Sequence, residues 1–130
     1  MLHDPLAAAL AKIHNAEIVG KKEVVIRPAS AMILKILELM HEKGYIGSYI
    51  VENEGPGRKL VKINLLGNIN KCNVIKPRFS TKFVEYTKWE KRYLPARDFG
   101  FLVISTPKGV MTHYDAKEKR IGGKLLAFCY

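Results

Sequence analysis

The sequence predicts an α+β protein of two small lobes, an N-terminal α-β-α-β-β lobe and a C-terminal lobe that is mostly β with one short helix. Segments with apolar residues at helical spacing alternate with short β-branched runs that stop at glycine or proline. A polar, turn-rich interval from Gly67 to Lys71 then divides the chain, which places the lobes at residues 1–67 and 68–130. A chain of 130 residues can bury a core without disulfides or a cofactor.

Two helices are predicted in the N-terminal lobe. Asp4 supplies a capping acceptor before a proline at the first helical position, so the first helix is expected from Pro5 to about Glu17. The second helix follows Ser30 and ends at Gly44, a residue suited to a left-handed stop. Its apolar stripe is wide enough to require burial and comprises Met32, Ile33, Ile36, Leu37, Leu39 and Met40.

Three strands complete the N-terminal lobe. The first is the β-branched run Glu23–Arg27, which Pro28 terminates because proline cannot donate to a sheet. The other two, Tyr45–Glu52 and Lys59–Leu66, are joined by Gly55-Pro56-Gly57, which is typical of a hairpin connection.

The C-terminal lobe is predicted to begin with a short strand from Val74 to Lys76. A charged excursion, Lys88–Arg97, then indicates a loop or short helix inserted between strands. Phe101–Ile104 is the most apolar run of the chain and favours a strand buried on both faces. Two hydroxyls, a proline and a glycine follow within Ser105–Gly109, which predicts a tight bend.

A short helix and a last strand are predicted after this bend. Thr112 and Asp115 form a capping-box-like start, and Gly122-Gly123 is expected to end the helix. The apolar run Lys124–Tyr130 predicts the final strand.

The charge balance favours a polyanionic partner. Twenty-two Lys and Arg oppose twelve Asp and Glu, giving a formal net charge of +10. No acid occurs between Glu54 and Glu85, and that interval contains seven cations, which are Arg58, Lys59, Lys62, Lys71, Lys76, Arg78 and Lys82. A membrane surface is the competing partner, but no segment approaches the roughly 20 apolar residues of a spanning helix and no signal peptide is evident. We therefore expect a soluble, cytoplasmic protein with nucleic acid as partner and no membrane.

Enzyme and metal chemistry are not predicted. Cys72 and Cys129 are the only cysteines and the four histidines are scattered, so no zinc-ligand spacing exists and a reducing compartment is expected. No phosphate-binding glycine loop is present. Ser105, His113 and Asp115 suggest a nucleophilic triad, but three residues of one strand-turn-helix segment rarely converge. A hydrolase or RNA-modifying enzyme is therefore only a distant alternative.

Several segments have two interpretations. The Ser105–Gly109 bend is either a solvated connection or a set of donors and acceptors for a partner. Ser30 either caps its helix or seats a phosphate at the helix start, and both roles can coexist. Cations and aromatics interleave from Arg78 to Tyr86, which suits nucleic acid, although Phe79 and Phe83 fit the core of the lobe equally well.

The chain resembles the archaeal members of the small-subunit ribosomal protein eight family, the universal uS8 group. The resemblance runs nearly end to end. Its most specific part is Ile104-Ser105-Thr106 with Gly109-Val110-Met111-Thr112-His113, followed at the family's spacing by Ala116-Lys117 and Gly122-Gly123. Further matches are Asp4-Pro5-Leu6, Asn15-Ala16, Pro28-Ala29-Ser30, Gly44-Tyr45-Ile46 and Ile69-Asn70-Lys71-Cys72. The insertion Trp89–Phe99 resembles archaeal and eukaryotic members rather than bacterial ones.

The resemblance implies a non-enzymatic scaffolding protein that binds the central domain of small-subunit ribosomal RNA directly and helps assemble the platform. Neighbouring small-subunit ribosomal proteins are the other expected partners. In the family a Ser-Thr-Ser-Lys-Gly loop enters a distorted RNA core, and the region of Ser30 adds a backbone contact. The candidate RNA-binding residues are Pro28, Ser30, Lys76, Arg78, Ser105, Thr106, Pro107, Lys108, Gly109, Thr112 and Lys124.

Two positions depart from the family pattern. Pro107 replaces the third loop residue and donates neither through a hydroxyl nor through an amide. Lys124 stands where bacterial members commonly have glutamate. The change from a carboxylate to an ammonium favours a phosphate contact at this position. An alternative function is translational regulation, in which the same residues bind a messenger RNA that mimics the ribosomal site, such as that of the protein's own operon.

Overall fold

A computed structural model describes residues 4–96 and 99–130. The chain is an α+β protein of two compact units, as predicted, with the division between Cys72 and Asn73. The predicted boundary, between residues 67 and 68, lies slightly earlier in the chain. Within the described residues, no helix has both the length and the apolar content needed to cross a membrane.

The first unit has the predicted α-β-α-β-β order. Its elements are α1 (Pro5–Ile18), β1 (Glu23–Ile26), α2 (Ala31–Glu42), β2 (Ile46–Gly55) and β3 (Arg58–Leu65). The strands form an antiparallel sheet in the order β1-β3-β2, with β2 and β3 joined at Pro56-Gly57. α1 packs on β1 and α2, and α2 packs on β2. The fully buried residues of this unit include Ile13, Ile36, Leu37, Met40, Ile46 and Ile63.

The predicted caps form at both helices of the first unit. Asp4 Oδ1 accepts from the amide of Ala7 at 3.1 Å, and Ser30 Oγ accepts from the amide of Ile33 at 3.3 Å. Gly44 has a φ of 78° and terminates α2 as expected.

The second unit has a five-stranded antiparallel sheet and two short helices. Its elements are β4 (Cys72–Val74), β5 (Ser80–Thr81), a 3₁₀ turn (Phe83–Glu85), α3 (Tyr86–Tyr93), β6 (Phe101–Thr106), β7 (Gly109–Thr112), α4 (His113–Glu118) and β8 (Gly123–Cys129). The order is β4-β8-β6-β7, and β5 pairs with β8 beside the start of that strand.

The bend after the apolar strand differs from the prediction. The sequence indicated a polar turn leading directly into a helix, but β6 continues to Thr106 and a further strand, Gly109–Thr112, pairs with it. Only Pro107 and Lys108 form the connection. Val110 and Thr112 have high strand propensity, but a run of two apolar residues, Val110 and Met111, was too short to predict a strand.

Two other boundaries differ from the prediction. The helix after Thr112 ends at Glu118, and the left-handed position of its Schellman motif is occupied by Arg120, with a φ of 56°, and not by Gly122. The first strand of the unit is Cys72–Val74 and stops before Ile75. The charged excursion contains the helix α3, which is one of the two predicted possibilities.

The core of the second unit shows which aromatic residues between Arg78 and Tyr86 are buried and which are exposed. Tyr86 is fully buried and donates its hydroxyl to the carbonyl of Ile121 at 2.9 Å, while burial raises the pKa of this phenol. Phe79 packs on the same core and stacks on Trp89 with ring centroids 5.0 Å apart. Phe83, by contrast, is partly exposed. The core interpretation therefore holds for Phe79 but not for Phe83.

Gly122 and Gly123 must be glycine because the backbone of neighbouring strands approaches them closely. A Cβ atom on Gly123 would lie 2.2 Å from the carbonyl oxygen of Ser105 on β6. A Cβ atom on Gly122 would lie 2.3 Å from the carbonyl oxygen of Thr81 on β5. Both contacts are with backbone, which cannot rotate away, so any side chain here forces neighbouring strands apart.

We expect Gly123→Ala to lower the free energy of unfolding of the second unit by about 3 kcal/mol, at the upper end of the usual cost of overpacking. Denaturant unfolding followed by the fluorescence of Trp89, the sole tryptophan, measures this unit directly. Gly57→Ala is the control, because its φ of 69° brings backbone strain but a Cβ atom there meets nothing within 4 Å. An unchanged midpoint for Gly123→Ala contradicts the prediction.

Candidate nucleic-acid interface

One row of side chains crosses four strands near the β6–β7 connection. Ser105 lies opposite Val110 of β7 and opposite Lys124 of β8, and Lys124 lies opposite Ser80 of β5. Residues that face each other in antiparallel strands point to the same side, with Cβ atoms about 5 Å apart. The next row, Met111–Ile104–Leu125, points to the other side and is buried.

Ser105 has an uncommitted hydroxyl. It is half-buried on β6, and within the described part of the chain its side chain makes no hydrogen bond. A serine hydroxyl carries one donor and two acceptor lone pairs. Ser105 can therefore both donate to and accept from a bound partner.

Thr106 is committed to the turn. Its hydroxyl donates to the carbonyl of Gly109 at 2.7 Å and accepts from the amide of Lys108 at 3.2 Å, and the residue is only 9% exposed. One acceptor lone pair remains. The main action of Thr106 is thus to hold the chain reversal.

The turn residues Pro107, Lys108 and Gly109 are all exposed. Pro107 occupies the first position of the two-residue connection, where its fixed φ favours the bend. Gly109 has a φ of 118°, a conformation that L side chains rarely adopt. The proline that departs from the family pattern therefore suits this turn, and Lys108 projects a cation from its tip.

Ser80 is a site residue that the sequence analysis missed. It is exposed, lies across from Lys124, and makes no side-chain hydrogen bond among the described residues. Strand β5 has only two residues and carries no periodic signal. Only the pairing with β8 places it in the row.

Thr112 is unavailable to a partner. It is fully buried, and its hydroxyl accepts from the amide of Asp115 at 3.3 Å as the cap of α4. The predicted cap is therefore present, and Thr112 supports the site by fixing the strand-to-helix junction.

His113 does not pair with Ser105. It is fully buried; its Nδ1 accepts from the amide of Leu102 at 3.0 Å, and its Nε2 lies 3.2 Å from Glu90 Oε1 without hydrogen-bond alignment. Lys117 Nζ donates to the same Glu90 oxygen. Both ring nitrogens thus face partners other than Ser105, and the hypothetical nucleophilic triad does not assemble.

Burial lowers the pKa of His113 to about 4; the nearby Lys117 ammonium adds to this effect and the Glu90 carboxylate opposes it. The imidazole is therefore neutral at physiological pH, which agrees with the amide of Leu102 donating to Nδ1. The cluster of Glu90, His113 and Lys117 joins α3 to α4.

The remaining predicted residues lie away from the row or beside it. Lys76 and Arg78 are exposed on either side of Pro77, and Arg78 is two residues before Ser80. Pro28 and Ser30 are exposed in the first unit, where Ser30 caps α2. The second unit therefore contains the hairpin, Lys124 and the Lys76–Arg78 segment, while the Ser30 segment belongs to the first.

No group of three or more His, Cys, Asp or Glu suited to a metal occurs in residues 4–96 and 99–130. Cys72 is buried and donates to the carbonyl of Leu10 at 3.5 Å. Burial and the charge of Glu17 raise the pKa of this thiol to about 12.

The family model for ribosomal protein S8 matches residues 4–130, and the chain belongs to this family. It is 48% identical over 130 residues to the small ribosomal subunit protein uS8 of Methanococcoides burtonii, covering 100% of this chain and 99% of the relative. The resemblance noted in the sequence is therefore confirmed.

We expect Thr106→Val to lower the free energy of unfolding of the second unit by about 1 kcal/mol, because the Lys108 amide and Gly109 carbonyl lose their intramolecular partner. Thr106→Ser retains the hydroxyl and should lose less. Ser105→Ala, next to it in the chain, should change stability by no more than about 0.5 kcal/mol. Equal stability of the Thr106→Val and wild-type proteins in Trp89-monitored unfolding contradicts this assignment.

The His113 pKa predicts a pH dependence of stability. Because the folded-state value of about 4 lies below the ordinary value, the unfolded state binds the proton first. The free energy of unfolding should therefore fall as the pH drops from about 6.5 to about 4 and then stop falling on account of this group. NMR titration of the imidazole and denaturant unfolding across this range measure the effect.

The control for this prediction is His41→Gln, a change of an exposed histidine on α2 that should retain the wild-type pH dependence. His113→Asn should lose the component between pH 6.5 and 4. A His113 ring that titrates near pH 6.5 in the folded protein rules out the assignment.

Proposed function

We propose that this chain binds small-subunit ribosomal RNA directly, at an irregular helical element of the central domain, and helps assemble the platform. The observation that supports this most is the row of the half-buried Ser105 and the exposed Lys124 and Ser80, in which two uncommitted hydroxyls flank a cation. The relative's name, small ribosomal subunit protein, supports the ribosomal RNA as partner.

The chemistry of the row suits RNA. A duplex RNA has a major groove too narrow to read, so recognition uses shape, 2′-hydroxyls and unstacked bases. Ser105 and Ser80 can donate to a base edge or accept from a sugar hydroxyl. Lys124 between them can neutralise a phosphate. The row therefore places hydroxyls that can recognise bases and sugars next to a cation that can bind a phosphate.

The turn supplies a rigid approach to the RNA. The Thr106 hydroxyl ties two backbone groups of the connection together, and Pro107 removes backbone freedom at the tip. A preorganised loop loses less conformational entropy on binding. Lys108 at the tip then adds a salt-dependent contact to the backbone.

Charge and readout act through different residues in this proposal. Lys108, Lys124, Lys76 and Arg78 contribute affinity for any RNA, while Ser105 and Ser80 contribute preference for one RNA. Ser30 and Pro28 in the first unit offer a second contact to the RNA backbone, since Ser30 marks the amino-terminal end of α2. Neighbouring small-subunit proteins are the proposed protein partners, in the ribosome of the cytoplasm.

The proposed role is structural and not enzymatic. The burial of His113 supports this, because its ring nitrogens face Leu102 and Glu90, so it is not positioned to activate the Ser105 hydroxyl. The same row would accept a messenger RNA that presents the geometry of the ribosomal site. Crosslinking in cells, by the ratio of ribosomal to messenger RNA recovered, measures how the protein divides between these partners.

We expect Ser105→Ala to weaken binding to a central-domain RNA fragment by about 1–3 kcal/mol, or roughly 5- to 150-fold, with little change on an unrelated RNA. The reason is that the hydroxyl makes no described intramolecular bond, so its loss affects the partner and not the fold. Affinity is measured on both RNAs at one salt concentration.

Ser48→Ala is the matched control, because it removes an exposed hydroxyl of the first unit whose oxygen accepts from Asn64 at 2.7 Å. Its RNA affinity should remain that of the wild type. If Ser105→Ala weakens binding to both RNAs equally, Ser105 does not read the RNA. If the wild type itself shows no preference for the central-domain fragment, the proposed function fails.

A further inference from the structure

The outer face of α3 carries three cations. Lys88, Lys91 and Arg92 are exposed at i, i+3 and i+4, so they lie on one side of the helix. The opposite side holds Trp89 and Glu90, which are buried. Thr87 is the other exposed residue of the helix, so this outer face has no exposed apolar side chain.

The carboxylates of this segment are used internally. Glu85 accepts from the amide of Lys82 at 3.0 Å and caps the turn that begins the helix. Glu90 is buried and contacts Lys117 and His113 of α4. Neither carboxylate is therefore available to neutralise the cations of the outer face. Both carboxylates count only in the formal charge of the segment as a whole.

Arg92 is held in place by a group of stacked rings. Its Cζ atom lies 5.5 Å from the ring centroid of Phe79, 5.6 Å from that of Trp89 and 5.7 Å from that of Tyr93. The rings themselves stack, with Phe79 and Trp89 inclined at 23° and Trp89 and Tyr93 at 21°. A guanidinium that faces aromatic rings still has N–H donors along its edge, which match the oxygens of a phosphate.

Lys88 is positioned in a similar way, with Nζ 4.8 Å from the Trp89 ring centroid. Exposed lysines are ordinarily mobile, and ordering them costs side-chain entropy. Trp89 reduces this cost because its indole is itself fixed by donation to Thr81 Oγ1 at 2.9 Å. The face therefore presents cations in a restricted geometry.

The first unit shows a different arrangement of charge. There Arg27 pairs with Glu54, Lys62 with Glu52 and Lys35 with Glu38. On α3, Lys88, Lys91 and Arg92 have no carboxylate partner among the described residues. Like charges on one helix face destabilise the helix, and a polyanionic partner relieves this repulsion.

We propose that the outer face of α3, defined by Lys88, Lys91 and Arg92, is a second RNA contact that binds the phosphodiester backbone of the ribosomal RNA. This inference rests on the proposed function, because it assigns a further surface to the same partner. The face contains cations and no hydroxyl row, so it adds affinity and orientation and not sequence preference. Charged residues are depleted at the centres of protein–protein interfaces, so a face of three cations favours RNA over a protein partner.

A tethered cleavage probe tests the proximity of α3 to RNA. Lys91→Cys creates an exposed thiol, and the two native cysteines are buried, so a thiol-coupled iron chelate attaches at residue 91. In the complex with small-subunit RNA we expect strand cleavage at a defined backbone segment. Wild-type protein treated with the same chelate is the control and should direct no cleavage, because both of its cysteines are buried.

The double variant Lys88→Gln, Lys91→Gln tests the energetics while leaving Arg92 and its ring contacts in place. Two lost phosphate contacts should reduce the slope of log affinity against log salt by about 1.4–1.8. The discrimination between central-domain and unrelated RNA should not change. Lys35→Gln, Lys43→Gln removes the same formal charge from α2 and from its C-cap residue, and is the control for a general charge effect. Trp89 fluorescence verifies that each variant is folded.

The outcomes separate this inference from the proposed function. If wild-type protein prefers central-domain RNA but the α3 variant matches the α2 control in salt slope and residue 91 directs no cleavage, the inference is wrong and α3 faces solvent or protein. If residue 91 directs cleavage and the slope falls, the inference holds. If the wild type shows no preference for that RNA, the proposed function fails whatever the α3 variant does.

Discussion

The close approach of β8 to its neighbours is the constraint on which the second unit depends. At Gly122 and Gly123 the carbonyls of Thr81 and Ser105 occupy the space of a side chain. This lets β5, β8 and β6 lie side by side at the start of β8, and their register then sets Ser80, Lys124 and Ser105 opposite one another. The polar row is thus a consequence of backbone packing. The two glycines permit this packing because they have no Cβ atom, and they position the row although they add no side chain to it.

The two hydroxyls of the hairpin differ in their hydrogen bonds. The Thr106 hydroxyl makes two intramolecular bonds, and the Ser105 hydroxyl makes none among the described residues. The Thr106 hydroxyl donates one hydrogen bond to the turn and accepts one from it, so it holds the shape of the connection. Ser105, one residue earlier, points to the other side of the strand and retains its full hydrogen-bonding capacity within the described chain. Adjacent residues of one motif therefore separate into one whose hydroxyl holds the turn and one whose hydroxyl remains available, and a proline at 107 fits a turn that already has an internal anchor.

The insertion helix shows how a buried charge can shape an exposed surface. Glu90 lies in the interior with Lys117 and His113, where desolvation costs free energy that the ion pair and its neighbours offset. The same burial removes a carboxylate from the outer face of α3 and orients the helix with its cations outward. Trp89 adds to this by filling the core beside Phe79 and fixing Lys88 and Arg92 above its ring.

The sequence by itself determined the α-β-α-β-β succession of the first unit and the basic character of the chain. Asp4, Ser30 and Gly44 act locally and can be recognised from their neighbours, and charge is additive. Tertiary structure alone decided that Ser80 joins the row and that Glu90 meets His113. These features depend on strand register and on contacts between residues far apart in the chain, and single-residue propensities contain no information about such pairings.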